Sequence, residues 1–137
     1  MHDPGRHRAV RLASVALLPA ALLLTGCTSL QQPARTAATG FYAAVSASRW
    51  GRACGYLAPK TRSELEQSAG SGCPKALAAE KLSDPGPVEK LSGAGTMAQV
   101  RFREDTVFMS EFRHGWKVMA ADCAPRPGKP YDCQIQG

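Results

Sequence analysis

Residues 98–121 read AQVRFREDTVFMSEFRHGWKVMAA, and the period of this stretch decides the fold. Ala98, Val100 and Phe102 alternate with Gln99, Arg101 and Arg103, the pattern of a strand buried on one face. Residues 106–112 predict a second strand and residues 116–121 a third, with Arg113-His114-Gly115 as the turn between them. A three-residue loop pairs Phe112 with Trp116, Ser110 with Val118 and Phe108 with Ala120. This register gathers the apolar residues and puts Gly115 in the left-handed position. A two-residue His114-Gly115 loop sets Phe112 opposite Lys117 and scatters them. Val107, Met109 and Met119 make the other face apolar too, so the hairpin is expected to be covered on both sides or to line a cavity. The register at the earlier turn, near Glu104-Asp105, stays open.

Upstream of Gly95 the period is helical. Phe41, Ala44, Val45 and Ser48 fall at helical spacing within residues 36–50. Gly51 interrupts, and residues 52–58 predict a short second helix that turns Cys54 and Leu57 inward. Pro59 suits the first turn of a third helix, TRSELEQSA, which Gly70 closes. Cys73-Pro74 opens a fourth, with Leu77, Ala78 and Leu82 on one face. Asp84-Pro85-Gly86-Pro87 is a clear break. Helices, a break and then antiparallel strands define an α+β chain, with N-terminal helices packed on a curved antiparallel sheet. Residues 86–92 or 131–136 can add short strands to the three clear ones.

Composition limits what this chain can be. Its 137 residues allow one domain, and 44% hydrophobic content is too high for a disordered chain and too low for a multi-span membrane protein. Lys and Arg number 17 against 11 Asp and Glu, giving +6.

Residues 1–26 predict a leader. Arg6, Arg8 and Arg11 precede an uncharged apolar run over residues 12–24, shorter than the roughly 20 residues that span a bilayer. The run ends in Leu24-Thr25-Gly26-Cys27, which resembles the lipobox of bacterial lipoproteins. The resemblance implies cleavage before Cys27 and a diacylglyceryl thioether on its sulfur, with acylation such as palmitate. Each buried CH₂ of such chains contributes about 0.8 kcal/mol of membrane affinity, so two or three chains hold a small domain at the extracytoplasmic face of the cell membrane. Removal of residues 1–26 lowers the net charge to +4. Residues 27–35 then form the lipidated Cys27 and a polar tether, and residues 36–137 a single domain.

Four further cysteines, Cys54, Cys73, Cys123 and Cys133, make an even set in an exported domain, which predicts disulfides. Of three possible connectivities, 54–73 and 123–133 keep each pair local and bracket turn-rich segments. Loops of this size contribute about 3 kcal/mol each in the chain-entropy description. No pair has C-x₂-C spacing, and His114 is the sole histidine after Cys27, so no metal site is predicted.

Phe41-Tyr42-x-Ala44, Trp50, Cys54-x-x-Leu57-Ala58-Pro59, Leu65-Glu66 and Cys73 form a pattern that continues in Gly115-Trp116-Lys117-Val118, Cys123 and Pro130-Tyr131-Asp132-Cys133. It resembles the small exported actinobacterial lipoproteins of the nuclear-transport-factor-2-like (SnoaL-like) class over residues 36–137. The resemblance implies a sheet wrapped on helices as a cone with a pocket, a scaffold shared by isomerases, cyclases and binding modules. The full cone has more strands than the three clear ones here.

Acid–base chemistry of isomerase type needs a carboxylate and an oxyanion donor in a dry pocket. Tyr42 is the candidate donor and Asp122 the candidate base; the alternative is that Tyr42 caps the core edge and Asp122 is a solvated strand end. His114 falls in a turn and is expected to be exposed. Ser63 and Ser110 lack a nucleophile-elbow setting and a histidine partner. Gly93-Ala94-Gly95 is a turn and not a phosphate loop, and no cofactor motif is present. Arg101, Arg103 and Lys117 are expected to share exposed sheet surface, a solvated face with weak attraction for anionic lipids or wall polymers. Nucleic acid is not an expected partner. The sequence therefore predicts a membrane-tethered, non-catalytic binding or accessory module for a protein or small-molecule ligand. A pocket enzyme and a structural envelope protein are the alternatives.

Overall fold

Pro33 fixes where the first described helix begins. Its ring angle suits the first turn of a helix, and α1 runs over Gln32–Ser46 in a computed structural model that describes residues 31–137. The helix thus starts four residues ahead of the boundary expected at residue 36, and Ala34 is already fully buried. The leader, Cys27 and residues 28–30 lie outside the described residues. Ala34, Ala38, Phe41, Tyr42 and Val45 form one buried stripe along α1. After Ser46 the chain reverses at Ser48, which has a positive φ of 54°. This reversal, and not Gly51, separates the first two helices, because Gly51 lies inside α2 (Trp50–Tyr56).

α3 (Pro59–Ala69) ends where expected. Gly70 adopts the left-handed conformation, and the Gly70 and Ser71 amides return to the carbonyls of Gln67 and Glu66. The Glu66 carboxylate then accepts the first amide of α4 (Cys73–Ala79), Cys73 N–H, at 3.1 Å. Arg62, one turn back, donates to the same oxygen at 3.1 Å and, with that amide, holds the carboxyl below the usual carboxylate range. The Cys54–Cys73 disulfide joins α2 to α4, as expected from spacing. Both helices have seven residues, too short to persist alone, so the covalent link and packing hold them.

Five strands follow as an antiparallel meander, in the spatial order β1 (Val88–Ala94), β2 (Met97–Phe102), β3 (Thr106–Phe112), β4 (Gly115–Arg126) and β5 (Lys129–Gln136). Both segments that the sequence left as candidate extra strands are therefore strands. The second disulfide, Cys123–Cys133, links directly opposed residues of β4 and β5.

The β3–β4 hairpin corrects the expected register. Phe112 pairs with Gly115 and Glu111 with Trp116, so the loop is Arg113-His114. Neither proposed loop has this form. A bulge between Phe108 and Met109 then shifts the ladder by one, and Phe108 meets Ala120 as expected. Gly115 has the positive φ foreseen for it, 102°. The shift moves Trp116 onto the helix side and leaves Phe112 exposed. Phe108 lies on the outer face, edge-on to Tyr131 at 5.0 Å between ring centres.

Val100, Val107, Met109 and Val118, all fully buried, fill the helix-facing side together with Phe41 and Leu77. The first half of β4 has no β5 partner. Its edge is covered by the α2–α3 connection, where Ala58 N–H donates to Val118 O at 2.8 Å, and by the first turn of α3, where Thr61 Oγ1 donates to Met119 O at 2.9 Å. One close approach within the helix layer sets a side chain over a glycine. A Cβ at Gly40 would meet the Tyr56 ring at 2.5–3.1 Å. Displacement of that ring opposes the about 1 kcal/mol that Ala gains over Gly inside a helix, so Gly40→Ala is expected to stabilise the Tyr56→Leu variant in urea unfolding by more than it stabilises the parent.

Candidate functional site

The expected donor and base come from different elements and meet a third residue. Tyr42 points from the buried stripe of α1 toward the sheet, edge-on to Phe41 and Phe102 at 5.1 and 5.4 Å. Its hydroxyl donates a hydrogen bond to Asp105 Oδ2. The other oxygen, Oδ1, accepts Cys123 N–H at 2.7 Å. Asp105 is 6% exposed and is placed by the turn before β3, where Phe102 N–H donates to its carbonyl at 2.7 Å. The break over residues 84–87 braces the same turn: Arg103 and Glu104 N–H donate to Pro87 and Pro85 carbonyls, each at 3.0 Å.

Burial pushes the Tyr42 hydroxyl far above the ordinary phenol range. The Asp105 charge, its hydrogen bond and the Asp122 charge act in the same direction, and a backbone hydrogen bond from Asp122 partly opposes them. The hydroxyl is thus a fixed proton donor whose proton is already committed to Asp105. An oxyanion donor needs that proton free for substrate.

Asp122 sits in the left-handed region, φ 54°, where the β3–β4 ladder shifts. Its carboxyl is half-buried, and burial, followed by repulsion from Asp105, raises it above the ordinary 3.8. It lines a cavity of about 320 Å³ with Glu104 and Asp132, and Asp105 lines a neighbouring one of about 400 Å³ with Arg101 and Arg103. Tyr42 lines neither cavity. The structure therefore brings Tyr42 and Asp122 to one region without opening a shared pocket. Asp105, absent from the predicted pair, is the central group. Its sole sequence signal is a carboxylate at a turn with open register.

A larger opening lies elsewhere. An open groove of about 790 Å³ runs between the start of α1, α2 and the β3–β4 hairpin. Arg52, Tyr56, His114, Trp116 and Lys117 border it, together with Gln32. His114 is exposed in the hairpin loop, as expected. Lys117 Nζ donates to Gly55 O at 2.6 Å, against α2. Lys117 therefore does not share one basic face with Arg101 and Arg103. Those two arginines lie toward the other end of β2 and each reaches Glu89 at 4.0 Å. Ser63 Oγ accepts from Gln67 Nε2 at 2.8 Å, and Ser110 Oγ donates to Thr96 O at 3.3 Å. Among the described residues no cluster of His, Cys, Asp or Glu is placed to hold a metal, and no helix is long and apolar enough to cross a membrane.

Compared with known protein families, curated proteins and solved structures, the chain shows no match.

Tyr42→Phe leaves Asp105 with one buried donor fewer and is expected to cost about 1–3 kcal/mol in denaturant unfolding. Asp122 has the opposite sign. Its folded-state carboxyl binds a proton more tightly than in the unfolded chain, so the stabilisation from protonation is lost as pH rises from 3.8 through the folded value. Asp122→Asn, which tolerates the left-handed backbone, is expected to unfold at higher urea than the parent at pH 7. The gap should close as the pH is lowered below 3.8.

Proposed function

We propose that this chain is a lipid-anchored extracytoplasmic protein whose folded part is a non-catalytic binding or accessory module. The observation that carries the non-catalytic part is the Tyr42–Asp105 pair. The best candidate proton donor is held inside the core, where it locks α1 to the sheet. The groove beside α1 offers a ligand more room than the cavities at Asp105 and Asp122, with aromatic rings and cationic side chains at its border.

Two disulfides suit an oxidising compartment outside the cytoplasm. The leader and Cys27 supply the anchoring argument from sequence alone. Four helices ahead of a five-stranded antiparallel sheet are compatible with the nuclear-transport-factor-2-like class that the motifs resemble.

A second reading, a pocket enzyme of isomerase or cyclase type, draws support from Asp122. Its raised proton affinity and its place on a cavity wall suit a general base.

The anchoring is tested by fractionation. The parent is expected in the membrane fraction and in the detergent phase of a phase-partition assay. Cys27→Ala is expected to leave both. Retention of Cys27→Ala in the membrane fraction would refute a lipid anchor at this residue.

A further inference from the structure

The groove lies at the end of the domain where the tether enters. Gln32 and Pro33, the first residues of α1, form part of its wall. Cys27 is five residues before Gln32, a reach of at most about 17 Å even for a fully extended chain. A lipid on Cys27 therefore holds this end of the domain close to the bilayer surface.

The chemistry of the groove fits that surface. Arg52 is exposed and donates to no partner among the described residues, and Lys117 uses one ammonium proton on Gly55 O. No Asp or Glu stands among the residues that line the groove. The first amides of α1 carry no side-chain cap, so the positive end of that helix also borders it. The half-buried Tyr56 adds an amphipathic ring of the kind that settles at the headgroup level of membranes, and the buried Trp116 backs the groove wall.

We propose that this groove faces the membrane and takes the anionic headgroup of a phospholipid from the bilayer in which Cys27 is anchored. The proposal rests on the lipoprotein reading for its orientation. The occupant is a glycerophosphate headgroup in a lipid surface, recognised by Arg52 and Lys117 through its phosphate and by the rings through its glycerol and upper acyl region. Contact at this site would fix how the domain stands on the membrane, where a tether alone would let it swing.

The test uses the full chain and two independent measurements. Mass spectrometry of Cys27 reports whether the residue carries lipid. Titration calorimetry with dihexanoyl-phosphatidylglycerol below its micellar concentration reports groove binding without any need for the anchor. Dihexanoyl-phosphatidylcholine and inorganic phosphate serve as comparison ligands. Saturable binding of the anionic lipid is expected, with weaker binding of phosphate and least of the zwitterionic lipid. Arg52→Gln with Lys117→Gln is expected to weaken the anionic lipid by roughly tenfold to thirtyfold. Arg101→Gln with Arg103→Gln, the same change in net charge on the sheet, is expected to leave it within about twofold. Arg52→Gln alone, on an exposed helical position, covers the case in which loss of the Lys117 contact impairs folding, and is expected to weaken binding about fivefold. Equal binding of the two lipids, phosphate binding as tight as the anionic lipid, or equal losses from the two arginine-containing pairs would overturn the proposal. A lipid-free Cys27 with selective binding intact removes the orientation and the lipoprotein reading but not the site. A lipidated Cys27 without selective binding removes the site alone.

Discussion

Asp105 is the group on which the other contacts depend. A carboxylate taken out of water loses hydration that strong hydrogen bonds must replace. Here both oxygens are occupied, one by the Tyr42 hydroxyl and one by the Cys123 amide. These two donors come from the middle of α1 and from β4, while Asp105 itself leads into β3. One side chain thus fixes the height and rotation of the longest helix over two strands. The Tyr42 hydroxyl suits this task because burial beside a carboxylate holds its proton in place. Among the described residues every buried side-chain polar atom has a partner, so the core tolerates this polar pair without an orphaned group beside it.

The disulfides extend this arrangement outward. Cys123 donates its amide to Asp105 and its sulfur to Cys133, so the same residue connects the central polar pair to the last strand. Cys54–Cys73 secures the other side, where the helices are short. Glu66 does related work there, accepting the first amide of α4 while Arg62 holds it. No cysteine lines the groove, whose walls come from the start of α1, from Arg52, Gly55 and Tyr56 of α2 and from the hairpin that carries His114 and Trp116.

The sequence made the layers legible and left the centre hidden. The change of period near Gly95 marks helices before strands because burial imposes it residue by residue. Gly70 and the cysteine spacing are equally local signals. The β3–β4 register is ambiguous in the sequence because apolar residues on both strand faces make registers one residue apart look alike. The bulge between Phe108 and Met109 then satisfies part of each. Asp105 left no comparable mark. A carboxylate at a turn is ordinarily solvated, and nothing local shows that α1, about sixty residues earlier, brings a tyrosine over it. Tyr42 was found as a donor and Asp122 as a carboxylate near it, but the partner between them depends on tertiary contact. The groove was missed for the same reason. Arg52, His114 and Lys117 come from a helix, a loop and a strand, and no spacing joins them.

This division between centre and rim also bears on function. A pocket enzyme of the isomerase type keeps its donor and carboxylate apart so that a substrate oxygen can enter between them. The contact between Tyr42 and Asp105 closes that gap, and Val100, Val107 and Met109 fill the sheet around it. With the helix-facing side filled, the proposed recognition falls to the rim, where Arg52 is exposed, Tyr56 and Lys117 are half-buried and Trp116 is buried. The rim nearest Gln32 is the part that a short tether from Cys27 would hold against a lipid surface. The Tyr42–Asp105 contact closes the core at that point, and under the proposed reading the hairpin and helix ends offer a ligand more room than the cavities at Asp105 and Asp122.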